Sequence, residues 1–240
     1  MKKNGRLITG IGVAVVIVAA LLVSIISTAG GTLDVIGKDA VASFENVLKA
    51  MPDEITADDE NAGWSLEAPD GSVRFIWSED YSRSPLHDVM LELDAEPFIE
   101  AGLDTAKLPE TYAFYEGKLM IGTKLGNDKL TYQGNATPLA AFEQIVNNYR
   151  SSIGYHMALD HYNVGLSGGN MFEWAKNLST HTLTKENQDK DIVFVLHPKP
   201  FIEAGVDPEK VEGWVYTTVS MKMNGKTTEM YKFLKPFDLQ

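Results

Sequence analysis

His156, Asp160 and His161 place three potential metal ligands, two of them imidazoles, within six positions. Imidazole and carboxylate together suit zinc or copper, and zinc ordinarily takes three or four protein ligands. His156 and Asp160, four apart, share a face of a helix or of a strand, whereas His161 falls on the opposite face of a strand. Only an irregular turn brings all three to one ion. A metal-binding module is one reading of this segment, and ordinary surface or hinge histidines are the other.

A second pattern is Gly165-Leu166-Ser167-Gly168-Gly169, which fits the G-x-S-x-G of serine hydrolases. That motif works where a strand turns sharply into a helix and exposes the hydroxyl. Here a strand-like Met171-Phe172-Glu173-Trp174 follows, so the context is a hairpin. The acidic run Asp53-Glu54 and Asp58-Asp59-Glu60 lacks the Gly-punctuated oxygen spacing of an EF-hand and reads as a solvated loop. No phosphate-cradling glycine loop is present and no cofactor is expected. With no cysteine in the chain, disulfides, thiol nucleophiles and thiolate metal sites are excluded.

The elements that must position these side chains come in two copies. Residues 97–104 recur almost letter for letter as residues 200–207. Aligned at a constant offset of 103, residues 88–107 and 191–210 are identical at ten of twenty positions. Upstream the offset becomes 98, pairing residues 42–48 with 140–146. A period of about 100 residues is domain-sized, unlike the 20–50 of a solenoid. At the positions matching His156, Asp160 and His161 the first copy has Asp58, Ala62 and Gly63.

Each copy reads as an amphipathic helix (Val41, Phe44, Val47, Leu48 and Met51, or Phe142, Ile145, Val146 and Tyr149), a hairpin, a third strand, the repeated octapeptide and a last hairpin. The octapeptide itself reads as helix punctuation: Pro97 starts a short helix, Gly102 stops it and Asp104 caps the next turn. The expected fold is α+β. An N-terminal transmembrane helix precedes two tandem α-β-β-β-α-β-β units with antiparallel sheets. The boundaries expected are 1–30 for stub and anchor, 31–132 for the first unit and 133–240 for the second.

Duplication makes the recurring carboxylates Glu45/Glu143, Asp88/Asp191, Glu100/Glu203 and Asp104/Asp207 candidates for meeting at a two-fold axis. A shared proton there would make a general acid/base dyad. Glu100 and Glu203 are the carboxylates taken as binding candidates. Trp64 and Trp174 are aromatic candidates for lining a ligand groove, against ordinary packing in strands.

Residues 7–26 contain no charged side chain, follow Lys2, Lys3 and Arg6, and are long enough to cross a bilayer of about 30 Å of hydrocarbon. The flanking charges put the N-terminus in the cytoplasm and the rest outside. Small residues at Ser27-Thr28-Ala29 also permit a cleaved signal peptide, although such h-regions are shorter. Of 21 basic and 33 acidic residues, three basic and no acidic ones lie in 1–30, so the remainder holds 18 against 33, a net charge of −15. That charge disfavours nucleic acid and suits a cationic ligand. The reading is a single-pass protein of the cell membrane whose extracytoplasmic body binds another envelope protein or a cationic ligand, as an accessory subunit or scaffold. The competing class is an envelope hydrolase using carboxylates from both copies.

Overall fold

The computed structural model describes residues 17–19, 30–59, 62–79, 88–123, 136–156, 160–178, 190–223 and 226–239. Its elements are β1 (Ile17–Ala19), α1 (Gly30–Ala50), β2 (Ile55–Asp58), β3 (Gly63–Glu67), β4 (Val73–Ser78), β5 (Val89–Asp94), α2 (Glu96–Glu100), β6 (Tyr112–Tyr115) and β7 (Lys118–Thr123). The second half gives α3 (Pro138–Asn148), β8 (Ile153–His156), β9 (His161–Gly165), β10 (Met171–Ala175), β11 (Ile192–Leu196), α4 (Lys199–Glu203), β12 (Val215–Met223) and β13 (Lys226–Phe237).

Strands β2 to β13 form two antiparallel six-stranded sheets of matching topology, and β1 adds a parallel seventh strand to the edge of the second. One runs β2-β3-β4-β5-β7-β6 and the other β8-β9-β10-β11-β13-β12. The unit therefore has one more strand than the sequence predicts, β2 or β8, immediately after the long helix. Both are four-residue edge strands. By its residues alone the first reads as part of an acidic loop and the second as part of a ligand cluster. Each pairs with the following strand to make a hairpin.

The expected transmembrane helix over 7–26 lies almost wholly outside the described residues. Residues 17–19 of that run pair in parallel with Val219, Ser220 and Met221 at the edge of the second sheet. Among the described residues no helix is long and apolar enough to cross a membrane.

The inner faces of the two sheets share one hydrophobic core, and it is built around equivalent residues meeting in pairs. Phe44 stacks on Phe142 with ring centroids 3.9 Å apart, Phe75 on Phe172 at 4.3 Å and Phe98 on Phe201 at 4.7 Å. Residues related by the repeat can touch their own counterparts only along a two-fold axis, so the copies face each other across a pseudo-two-fold. Aromatic pairs of this kind add about 0.5–1.5 kcal/mol each beyond their buried area.

The helices cross that axis. α1 lies against β8 and β10 of the second sheet, and α3 lies against β3 and β4 of the first. Side chains pin the exchange: Ser43 Oγ donates to the carbonyl oxygens of Ala175 and Lys176 at 2.9 and 3.0 Å, and Trp77 Nε1 donates to that of Pro138 at 3.0 Å. α3 starts at a Thr137 cap whose hydroxyl accepts from the Ala140 amide, with Pro138 in its first turn, as the sequence predicts.

The repeated octapeptides sit on the axis too, which adds to the punctuation reading. Gly102 and Gly205 do end α2 and α4 at φ +106° and +105°, where L side chains are strained. A Cβ on Gly102 would also lie 2.8 Å from the Gly205 oxygen, and one on Gly205 would lie 2.9 Å from the Gly102 oxygen. Alongside, the Asp104 amide donates to the Ala204 carbonyl at 2.9 Å, and the Asp207 amide to the Ala101 carbonyl at 2.8 Å. The same eight residues thus close two helices and join the two copies.

Candidate functional site

The two copies share a core, but the hairpins that end them differ. In the first copy β6 and β7 are four and six residues long and close at Glu116-Gly117, both at positive φ. In the second, β12 and β13 are nine and twelve residues long and stay paired out to Met223 and Lys226. Tyr216 at the base of this hairpin, with Met230 and Tyr231 where β13 runs past the first copy's turn, forms one wall of a groove of about 410 Å³ beside α4.

The helix side of this groove presents Pro198, Lys199, Ile202 and Glu203, and the hairpin side presents Tyr216, Met230 and Tyr231. His197 completes the lining. Tyr216 and Tyr231 stack at 5.1 Å with their rings 15° from parallel. Ile202 keeps 41% of its surface exposed and Tyr231 keeps 51%. Lys199 Nζ stands 3.8 Å from a Glu203 carboxylate oxygen, with both side chains largely in solvent, so this pair contributes little to stability. Burial, Tyr231 and Glu209 together raise the Tyr216 phenol, which places Glu209 near the same wall. Burial, with Lys232 and Lys199 nearby, lowers the His197 imidazole, so it adds no cation to the groove near neutral pH.

No family model matches the chain, and no curated protein or solved structure matches it.

Of the binding candidates, Glu203 lines the groove, while Glu100 is exposed on α2 in the first copy. Trp64 is half-buried and packs against the core. Trp174 is fully buried, with Phe44, Phe142, Tyr162 and Phe172 around its ring. Alternation along β10 points it to the shared core, away from any surface a ligand could reach.

The proposed metal trio is divided between the two faces of the second sheet. His156 and His161 are directly opposite each other on β8 and β9, so they share a face. Asp160 turns to the other side, where its carboxylate accepts from the Tyr155 hydroxyl and, with burial, pushes that phenol up to about 12. Among the described residues no group of three His, Cys, Asp or Glu is arranged to hold a metal ion.

What the two histidines face is Glu173 of β10. His156 Nδ1 and His161 Nδ1 each lie 3.9 Å from Glu173 Oε2, and all three side chains are buried. Burial works to raise the Glu173 carboxyl, but His156 and His161 outweigh it and hold the group down to about 2. Lys232, buried nearby, donates to the Gly169 carbonyl at 3.0 Å, and its ammonium is lowered by burial against the pull of Glu173. In the first copy the matching positions are Asp58, Gly63, Ile76 and Lys118, so this cluster belongs to the second copy only.

A carboxyl held below its ordinary value of 4.5 stabilises the fold above that value and loses its contribution as pH falls toward about 2. Glu173→Gln is thus expected to lower the melting temperature by several degrees near pH 6. The gap to the unsubstituted protein should narrow steadily below pH 4.5. A gap that stayed constant from pH 6 to pH 2.5 would contradict the ionised, paired carboxylate.

The remaining chemistry-bearing residues have structural partners. Ser167 Oγ donates to the Gly122 carbonyl and its amide donates to Thr123 Oγ1 at 2.6 Å, docking the second sheet's turn onto the last strand of the first. Asp70 returns the contact from the other copy, pairing with Lys235 at 2.6 Å. Asp104 and Asp207 cap short turns, and Lys107 and Lys210 lead in lowering their carboxyls, the reverse of what a shared proton would do. Asp191 accepts from the Leu239 amide at 2.9 Å, and Glu45 pairs with Lys49 one helical turn away.

The groove residues Tyr216, Met230 and Tyr231 were not among the sequence candidates. A signal for them existed: the last hairpin is longer in the second copy than in the first. Added length without a counterpart marks a part the shared core does not require.

Proposed function

We propose that residues 31–240 form an extracytoplasmic binding body, tethered to the cell membrane through residues 7–26, which recognises another envelope protein or a cationic ligand at the groove between α4 and the β12–β13 hairpin. The tether requires residues 17–19 to leave their pairing with β12. The observation that carries this reading is the asymmetry. Two copies with a common core differ in the length of the last hairpin. Both halves expose aromatic and aliphatic side chains there, Phe114, Tyr115 and Ile99 in the first and Tyr231 and Ile202 in the second. In the second, where the hairpin is longer, these line a groove. Exposed aromatic and aliphatic surface at a concave site is the usual mark of a binding surface. The net charge of −15 over residues 31–240 favours a cationic partner and slows encounter with anionic ones.

The internal repeat supplies its own control. A photo-crosslinking side chain placed at Ile202 in the membrane-tethered protein is expected to give a discrete adduct in its native membrane. The same side chain at Ile99, the equivalent exposed position of the first copy, should give none of that size. Equal adducts from both positions, or none from either, would remove the groove from consideration.

A further inference from the structure

The groove is open to solvent, whereas a small-molecule site wraps most of its ligand's surface. An open trench with an aromatic wall takes an extended stretch of polypeptide, one side chain after another. Ile202, Met230 and Tyr231 offer apolar surface to such a chain. The charges set a preference: Glu203 lines the groove beside Lys199, Glu209 lies near Tyr216, and Lys232 is held behind the groove by the Gly169 carbonyl, on a body with a large negative net charge. The exposed ring of Tyr231 gives a cation a face to rest on.

We propose that this groove binds an extended peptide segment of a partner protein, in which an apolar side chain stands next to an arginine or lysine. The inference rests on the groove being the binding site of the proposed function, and it adds the chemistry of the ligand. The apolar side chain packs between Ile202 and Tyr231, and the basic one lies toward Glu203 and Glu209. Binding energy comes chiefly from the aromatic anchor, and the rim carboxylates set association rate and selectivity.

The test uses the full chain in detergent micelles and fluorescent octapeptides of alternating leucine and proline with a central arginine, beside the same peptides with aspartate there. The arginine peptide is expected to bind at least tenfold more tightly than the aspartate peptide. Tyr231→Ala should weaken it about 30-fold. Glu203→Lys should weaken it about threefold and flatten its dependence on salt. Ile202→Ser serves as a second groove variant should Tyr231→Ala lower the melting temperature. Equal binding of the two peptides, or arginine-peptide binding indifferent to both groove variants, would overturn the proposal. If neither peptide binds while the crosslinker at position 202 still captures a partner, the groove stands and the peptide chemistry falls. If the crosslinker captures nothing as well, both fall together.

Discussion

Gly205→Ala is expected to destabilise the protein by about 3 kcal/mol or more, lowering the melting temperature by roughly 6–12 °C for a body of this size. Two costs combine. The backbone at φ +105° is strained for any L side chain, and the new Cβ would stand 2.9 Å from the carbonyl oxygen of Gly102. Neither oxygen can retreat freely, because the neighbouring peptides are tied across the axis by the Asp104–Ala204 and Asp207–Ala101 hydrogen bonds. Gly117 separates the two costs, since it has φ +81° but nothing within 4 Å of an added Cβ. Gly117→Ala should therefore show the backbone penalty alone, about 1–2 kcal/mol. If thermal melts give the two variants equal losses, the octapeptides do not meet as described.

The second large effect is expected at Phe44. Its ring stacks on Phe142 and touches Trp77 of the first sheet together with Phe172 and Trp174 of the second. Removing a fully buried phenylalanine costs about 3–5 kcal/mol through lost transfer energy and the cavity left behind. Because the ring bridges both sheets, Phe44→Ala should accelerate hydrogen exchange in β4 and β10 together. The melt should remain a single transition. Loss of protection confined to the first copy would show that the halves are energetically separate.

Much of this architecture was legible from residue spacing. The offsets of 103 and 98 located equivalent elements, and the glycine at each octapeptide's sixth place announced a left-handed stop. What the octapeptide does for the other copy was not legible. That the two glycines oppose each other is a fact of tertiary contact, and a one-dimensional alignment carries no record of it. The edge strands β2 and β8 were missed because four residues such as Ile55–Asp58 give too short an alternation to stand out from a polar connection.

The His156–His161 pair shows the same limit at a smaller scale. Along one strand, five positions apart means opposite faces. The chain in fact reverses between them, and cross-strand pairing then makes them neighbours. Glu173 joins them from a third strand, ten or more positions away, where no local pattern points to it. The groove was the reverse case: unequal hairpins were visible in the sequence, but only the fold shows that the longer one stands beside α4.

The exchange of helices between the sheets bears on how such a chain could arise. A polypeptide holding a single copy would leave the apolar face of its long helix and its octapeptide turn without their seats. It could fill both only by pairing with an identical chain, as an obligate homodimer with true two-fold symmetry. Joining the two genes end to end makes that association intramolecular, so folding no longer depends on concentration. It also releases the halves from identity. Once each residue at the axis could change without changing its mate, the two last hairpins were free to differ in length, and Tyr216 and Tyr231 stand on the longer one.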